Sequence, residues 1–280
     1  MNGKYCLVTG ATHGIGVATA AALAAAGAHV LVHGRDLARA RAVAAQLSRA
    51  TGNPHVSAVQ ADFARLTEVR RLAAELAASL PRLDVLVNNA GMMSAQRATS
   101  ADGYELTFAV NHLAPFLLTC LLLDRLKASA PARIVVVASG AHRRARLDFG
   151  DLMNAKVAGL LPAYARSKLA NILFTRALAR RLAGTAVTVN ALHPGLVNSH
   201  LFHDQAVLRV LFALLGRLFM TTAEEGARTS IYLASSPQVE GLSGGYYERC
   251  RRVAPSDAAA NDADAERLWQ ESKRLTGLRA

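Results

Sequence analysis

A tyrosine and a lysine stand four residues apart, Tyr164 and Lys168, in the stretch AYARSKLAN. If the stretch is helical, they occupy adjacent turns of one face. A phenol has an unperturbed pKa of about 10, so it exchanges protons readily at neutrality only with help, and a nearby cation favours its ionised form. The pair therefore reads in two ways, as a proton donor beside its tuning charge or as an ordinary amphipathic face. The rest of the chain must choose.

Such a pair needs a scaffold, and the scaffold is legible. CLVT, HVLV, HVSAV, LDVLV, RIVVVAS and AVTVNAL are short and rich in β-branched residues. Between them run Ala/Leu-rich stretches with a period near 3.6, such as VATAAALAAAG and LTEVRRLAAELAASL. Nearly continuous apolar strands imply burial on both faces, hence a parallel sheet covered by helices. The pattern predicts an α/β Rossmann fold, a doubly wound parallel sheet of about seven strands with helices on both faces. No Pro/Gly/Ser-rich linker and no internal repeat interrupts it, so one domain over 1–280 is expected. Two segments depart from the rhythm. Residues 140–163 form a polar, basic insertion ahead of the Tyr164 helix, and 201–220 are intensely apolar.

The bulk properties exclude several classes. A hydrophobic fraction of 52% in 280 residues excludes a disordered chain. Three cysteines, Cys6, Cys120 and Cys250, lie far apart with no C-x-x-C, which indicates neither a disulfide framework nor a zinc site. The start, MNGKYCLVTG, enters a strand almost at once, so no signal peptide is expected, and a cytoplasmic location fits. No uninterrupted apolar run of membrane-spanning length is read. The net charge of +12 is diffuse, with clusters only at HRRAR (142–146) and ERCRR (248–252). Without a recognition module it argues against nucleic acid and for an anionic small molecule or surface. His142 and His193 have no partner at ligand spacing, so no metal is expected.

LVTGATHGIG closes the first strand and opens a helix, spacing Gly10, Gly14 and Gly16 as T-G-x-x-x-G-x-G. Gly10 permits the turn, Gly14 leaves room for a pyrophosphate at the helix amino terminus, and Gly16 lets helix and strand pack closely. This is a dinucleotide site, with Thr12, His13 and Ile15 in the same loop. At the end of the second strand, HVLVHGRD, an acid that would hold ribose hydroxyls is replaced by Gly34, and Arg35 follows. A guanidinium suits a 2′-phosphate, which predicts NADP(H) over NAD(H). Asp36 is read as the cap of the next helix.

These motifs, with those that follow, resemble the short-chain dehydrogenase/reductase family over the whole chain. ADF resembles the family's adenine-side segment at Asp62 and Phe63. VNNAG resembles the motif after the fourth strand, with Asn89 supporting the sheet and Ala90 and Gly91 against the cofactor. VNHLAPFLL places Asn111, VVVASGAH places Ser139, and LHPGLVNS places Pro194, Gly195, Val197 and Ser199. SGAH, YARSKLANILFTRALARRLAG, LSGGYYERC and AERLWQESKRLTGL resemble the retinol dehydrogenase and WW-domain oxidoreductase branch. The 25-residue interval from Ser139 to Tyr164 agrees with that branch. Neither a membrane anchor nor a WW domain is expected, and the Ala/Arg bias suggests a bacterial source.

The resemblance implies a catalytic set of Asn111, Ser139, Tyr164 and Lys168. Tyr164 acts as general acid/base, Lys168 tunes it and holds the nicotinamide ribose, Ser139 orients the substrate oxygen, and Asn111 fixes a proton-relay water. Ser167 and Asn171 are read as structural residues on the helix surface. The segment 201–220, with Leu201, Phe202, Leu211, Phe212, Leu218 and Phe219, is read as a lid over a bulky lipophilic carbonyl or alcohol, retinoid-, steroid- or polycyclic-like. With its basic neighbours it also suits a peripheral membrane contact. A monomer or a homodimer is expected, the latter through helices near 112–127 and 162–182. Two alternatives remain, a carbon–carbon double-bond reductase of the protochlorophyllide reductase type and a non-catalytic NADP(H)-sensing protein.

Overall fold

The computed structural model describes residues 1–94, 96–156, 159–195 and 221–278. Val197, Ser199 and the expected lid at 201–220 lie outside the described residues.

Eight strands form one sheet: β1 Tyr5–Val8, β2 His29–Gly34, β3 Val56–Gln60, β4 Val85–Asn88, β5 Ala132–Val137, β6 Val187–His193, β7 Tyr246–Glu248 and β8 Arg251–Val253. Their order is β3-β2-β1-β4-β5-β6-β7-β8. All neighbours are parallel except β7 and β8, which pair antiparallel. The ERCRR cluster is this hairpin, whose turn residues Arg249 and Cys250 both adopt positive φ. The sequence reading had not separated these last two short strands. The strand order reverses between β1 and β4, where this architecture opens a crevice at the carboxyl ends of the strands.

Numbered over the described residues, the helices are α1 Gly14–Ala25, α2 Leu37–Thr51, α3 Leu66–Ser79, α4 Leu106–Ala128, α5 Leu160–Arg181, α6 Ala223–Ser235, α7 Asp257–Ala260 and α8 Asp262–Thr276. The side-chain period of two in the strands sorts the core into two layers. Leu7, Leu31, Leu86, Ile134, Val136 and Val189 meet one layer, with α3, α4, α5 and Trp269 of α8. Cys6, Val8, Val30, Val32, Val85, Val87 and Val135 meet the other, with α1, α2 and α6. Because both faces are covered, the strands read as unbroken apolar runs.

Local chemistry sets the element ends. Asp36 accepts from Arg39 N–H and caps α2, as the sequence suggested, while Gly52 ends that helix in the left-handed region. Asn261 caps α8, and Gly277 closes it. Within α4, residues Ala109–Leu113 form a π turn. At 23 residues α4 is long and apolar enough to span a membrane, but 72% of its most apolar window is buried against protein.

The segment 140–163 is no merely polar insertion. Its first residues form a 3-10 turn, Gly140–Arg144, and His142, Ala145, Asp151, Leu152 and Asn154 are buried, with α5 beginning at Leu160. Helix α8 packs on α5 and on the Phe116 side of α4. Trp269 of α8 lies 5.0 Å from Phe116 and 6.0 Å from Phe174, ring centre to ring centre. Asp262 pairs with Arg176 and Arg180, and Glu266 with Arg181. An amphipathic α8 thus buries its apolar face against α4 and α5.

Candidate active site

The β1–α1 turn is built around Thr9 and two glycines. Thr9 Oγ donates to Val87 O at 3.1 Å and accepts from Asn89 N and Ala90 N, both at 3.0 Å, which ties the ends of β1 and β4 together. Asn89 Nδ2 donates to Thr9 O at 2.8 Å and Gly10 O at 3.1 Å, joining the end of β4 to the β1–α1 turn. Gly10 has φ +63°, and a Cβ there would sit 2.7 Å from Ala90 Cα. On Gly16 a Cβ would sit 2.4 Å from Gly10 O. Gly14 differs, because at φ +55° it faces open space. Neither an acid nor a side-chain cap occupies the first turn of α1, leaving its amides for an anion. Thr12 contacts the exposed His13 at Nδ1, and Ile15 is half-buried.

At the end of β2, a Cβ on Gly34 would meet Thr12 Cγ2 at 2.5 Å, so a side chain there would require Thr12 to move. Arg35 is exposed beside it, its carbonyl held by Gln60 Nε2 at 3.2 Å. Beyond β3, Asp62 accepts from Ala64 N at 3.0 Å. Phe63 points inward, 4% exposed and stacked on His33 with ring centres 4.5 Å apart, so its ring belongs to the core rather than to a ligand surface.

The chemistry-bearing residues gather where β4 and β5 end. Ser139 follows β5 and caps the 3-10 turn, its Oγ accepting from Ala141 N. Tyr164 and Lys168 come from successive turns of α5, with Lys168 Nζ 5.5 Å from the centre of the Tyr164 ring. Burial pushes the Tyr164 phenol above its ordinary pKa, and the Ser139 hydroxyl beside it pulls in the opposite direction. Lys168 is buried, donates to Val137 O at 2.9 Å, and is pushed down by burial to about 8. A Cβ on Gly91 would lie 3.3 Å from Lys168 Nζ and 3.4 Å from Asn111 Oδ1, so any side chain there would crowd both.

Asn111 sits in the π turn, a distortion frequent at functional sites. Its Oδ1 accepts from Met92 N at 2.7 Å, and its Nδ2 donates to Met92 O and to Ser167 Oγ, both at 2.9 Å. Both amide hydrogens are committed, which leaves only the second lone pair of Oδ1 for a water.

Three further residues stand in other surroundings than their sequence suggests. Ser167 is fully buried rather than on the helix surface, and donates to Tyr164 O at 2.7 Å while accepting from Asn111. Asn171 is buried as well, 3.4 Å from His112 Nδ1. His142 is buried with Nε2 accepting from Ser256 N at 3.2 Å, so the proton is on Nδ1, which donates to Ser139 O at 2.7 Å. The SGAH phrase marked that histidine without revealing its partners. Among the described residues no group of three or more His, Cys, Asp or Glu could hold a metal.

Residues 4–206 match the family described as short chain dehydrogenase. The chain belongs to the short-chain dehydrogenase/reductase family. It is an oxidoreductase related to the retinol dehydrogenases. It is 46% identical to human retinol dehydrogenase 14, covering 99% of this chain and 88% of that protein. Identity to human retinol dehydrogenase 12 is 44%, covering 99% and 87%. Among solved structures, an uncharacterised protein from Mycobacterium paratuberculosis superposes with a TM-score of 0.80 at 33% identity, covering 99% of this chain and 94% of that one. The RhlG/NADP complex of Pseudomonas aeruginosa superposes with a TM-score of 0.72 at 29% identity, covering 88% and 94%. In this architecture ligands bind at the strand-order reversal, and a nicotinamide cofactor suits that position. The open side of Gly14 and the uncapped start of α1 leave an anion cradle, and Gly91 leaves a clear approach to Lys168.

Proposed function

We propose that this chain reduces a bulky lipophilic aldehyde or ketone, or oxidises the matching alcohol, with NADP(H) and with Tyr164 as general acid/base. The carrying observation is the convergence of Ser139, Tyr164 and Lys168 beside Gly91 at the carboxyl ends of β4 and β5. Gly10, Thr12, His13, Gly14, Ile15 and Gly16 would hold the pyrophosphate side, Asp62 and the Phe63 backbone the adenine, and Asn89, Ala90, Gly91, Pro194 and Gly195 the nicotinamide half. When bound, the cofactor supplies or accepts a hydride at carbon.

The side chains supply the proton and the orientation. Burial keeps the Tyr164 phenol protonated, which suits donation to a carbonyl oxygen as that oxygen gains charge. Ser139 donates to the same oxygen and sets its direction. Lys168, protonated below about 8, places positive charge near the phenol and opposes the effect of burial. Support for NADP(H) comes from Gly34, which stands where an acid would hold the ribose and is crowded by Thr12, and from the exposed Arg35 guanidinium. Support for a lipophilic substrate comes from the apolar sequence at 201–220 and from relatives named as retinol dehydrogenases.

The test is NADPH oxidation by purified protein over a panel of retinoid, steroid and polycyclic carbonyl compounds. Tyr164→Phe should lower turnover ~100-fold or more, the scale of losing a general acid. Equal turnover by wild type and Tyr164→Phe would reject the mechanism.

A further inference from the structure

His33 is the fifth residue of β2 and is 3% exposed. Its Nδ1 lies 3.1 Å from Gly10 N, and its Nε2 lies 3.1 Å from Ala61 O. A main-chain N–H can only donate, so Nδ1 is the acceptor and the ring proton sits on Nε2, donating to Ala61 O. One neutral tautomer therefore satisfies both contacts. The main chain of the same residue joins in, since His33 O accepts from Ala11 N at 2.8 Å. On the ring face lies Phe63.

Burial alone gives no reason for a histidine here. The flanking β2 residues Val30, Leu31 and Val32 are all buried and apolar. Desolvation pushes the imidazole down to about 4, so the neutral form persists through the working pH range. What an aliphatic side chain could not do is bond at once to the glycine turn after β1 and to the segment leaving β3. Those are the pyrophosphate side and the adenine side of the proposed cofactor site.

We propose that His33 is a positioning residue for the dinucleotide, locking the Gly10 turn to the Ala61–Phe63 segment so that both stand in binding register. Such preorganisation sets how tightly the cofactor binds, because ordering that would otherwise oppose binding is already complete. It leaves the proton chemistry at Tyr164 untouched. The proposal rests on the dinucleotide reading above.

The experiment measures NADPH and NADH dissociation constants by calorimetry for wild type, His33→Leu and His33→Asn. Thermal unfolding and kcat at saturating cofactor are recorded alongside. Loss of one or two buried hydrogen bonds to the loops should raise the NADPH dissociation constant of His33→Leu ~10-fold or more. The kcat at saturation should stay within about twofold of wild type, because the reacting side chains are unchanged. His33→Asn keeps an acceptor toward Gly10 and should fall between the two. A histidine serving only the core would lower stability but leave the affinity of the folded protein unchanged. Wild-type affinity in His33→Leu would overturn the proposal alone. Should that variant not fold, wild-type affinity in His33→Asn would overturn it, and weakened binding would support it. Wild-type protein that binds neither NADPH nor NADH would remove the dinucleotide reading and this proposal with it.

Discussion

Asn111 holds Met92 by both of its main-chain polar atoms, accepting its N–H at 2.7 Å and donating to its carbonyl at 2.9 Å. The remaining Nδ2 hydrogen goes to Ser167, which in turn donates to Tyr164 O. One amide thus locks the loop after β4 to α4 and α5 around Gly91. Asn111→Leu leaves both half-buried Met92 groups unpaired and should cost about 2–4 kcal/mol, the lower part of the range for two fully buried groups at about 1–3 kcal/mol each. Urea unfolding gives the stability, and turnover should fall with it as Gly91 and Tyr164 lose their common support. A variant of wild-type stability would show that the loop is held from elsewhere.

Lys168 should lower stability at neutral pH. Its folded pKa, about 8, is below the ordinary 10.5, so folding favours the neutral amine. The sign follows directly: stability from this group is fully present above pH 10.5, declines as pH falls toward 8, and is level below that. Lys168→Met should therefore be more stable than wild type at pH 7 by about 1–3 kcal/mol, after allowing for the lost bond to Val137 O. The gain should vanish near pH 10.5, and activity should be lost at every pH. Denaturant midpoints at the two pH values decide it, and a less stable Met variant at pH 7 would mean that the charge is compensated in the fold.

Gly14 and Gly16 should fail differently when replaced by alanine. At Gly16 the new carbon would press on Gly10 O, Asn89 Nδ2 and Ala11 Cα, so the β1–α1 turn itself must shift. Overpacking of this kind costs about 1–3 kcal/mol, visible as a lowered thermal midpoint without any ligand. Gly14→Ala meets no atom but strains a left-handed backbone, costing about 1–2 kcal/mol, and it fills the open anion cradle. Its main effect should be weakened cofactor binding, measured by calorimetry.

Arg35 offers the test of cofactor choice. Its removal in Arg35→Ala should raise the KM for NADPH ~10-fold or more while moving that for NADH less than ~3-fold, because only the 2′-phosphate is a partner for the guanidinium. Steady-state kinetics with both cofactors suffices. Equal effects would contradict the Gly34 alignment and point instead to ribose hydroxyls held by another group.

Much of this molecule is written locally. The alternation of β-branched runs with 3.6-period stretches foretold the parallel sheet, because strands buried on both faces must be apolar throughout. Gly10, Gly14 and Gly16 announced the nucleotide turn, since backbone conformation and close approach are constraints on single residues. Spacing alone puts Tyr164 and Lys168 on one helical face, while their chemistry is read from the motifs around them. Asp36 as a cap belonged to the same class. Its partner, Arg39, is only three residues away.

Only the tertiary structure decided the rest. Whether His33 is a core residue or a bridge depends on Gly10 and Ala61, which lie 23 and 28 residues away along the chain. His142 finds its second partner in Ser256, 114 residues on, and Ser167 finds Asn111 across 56. The α8 helix covers α5 and the Phe116 side of α4 because its apolar face, centred on Trp269, finds partners far away along the chain, Phe116 and Phe174. The motif puts Phe63 on the adenine side, and the fold turns its ring inward onto His33, leaving its backbone for that side. Local sequence specifies backbone conformation and periodicity. The partner of a buried polar group or a late helix is chosen by which distant segments the parallel crossovers bring side by side, and that choice is made in three dimensions.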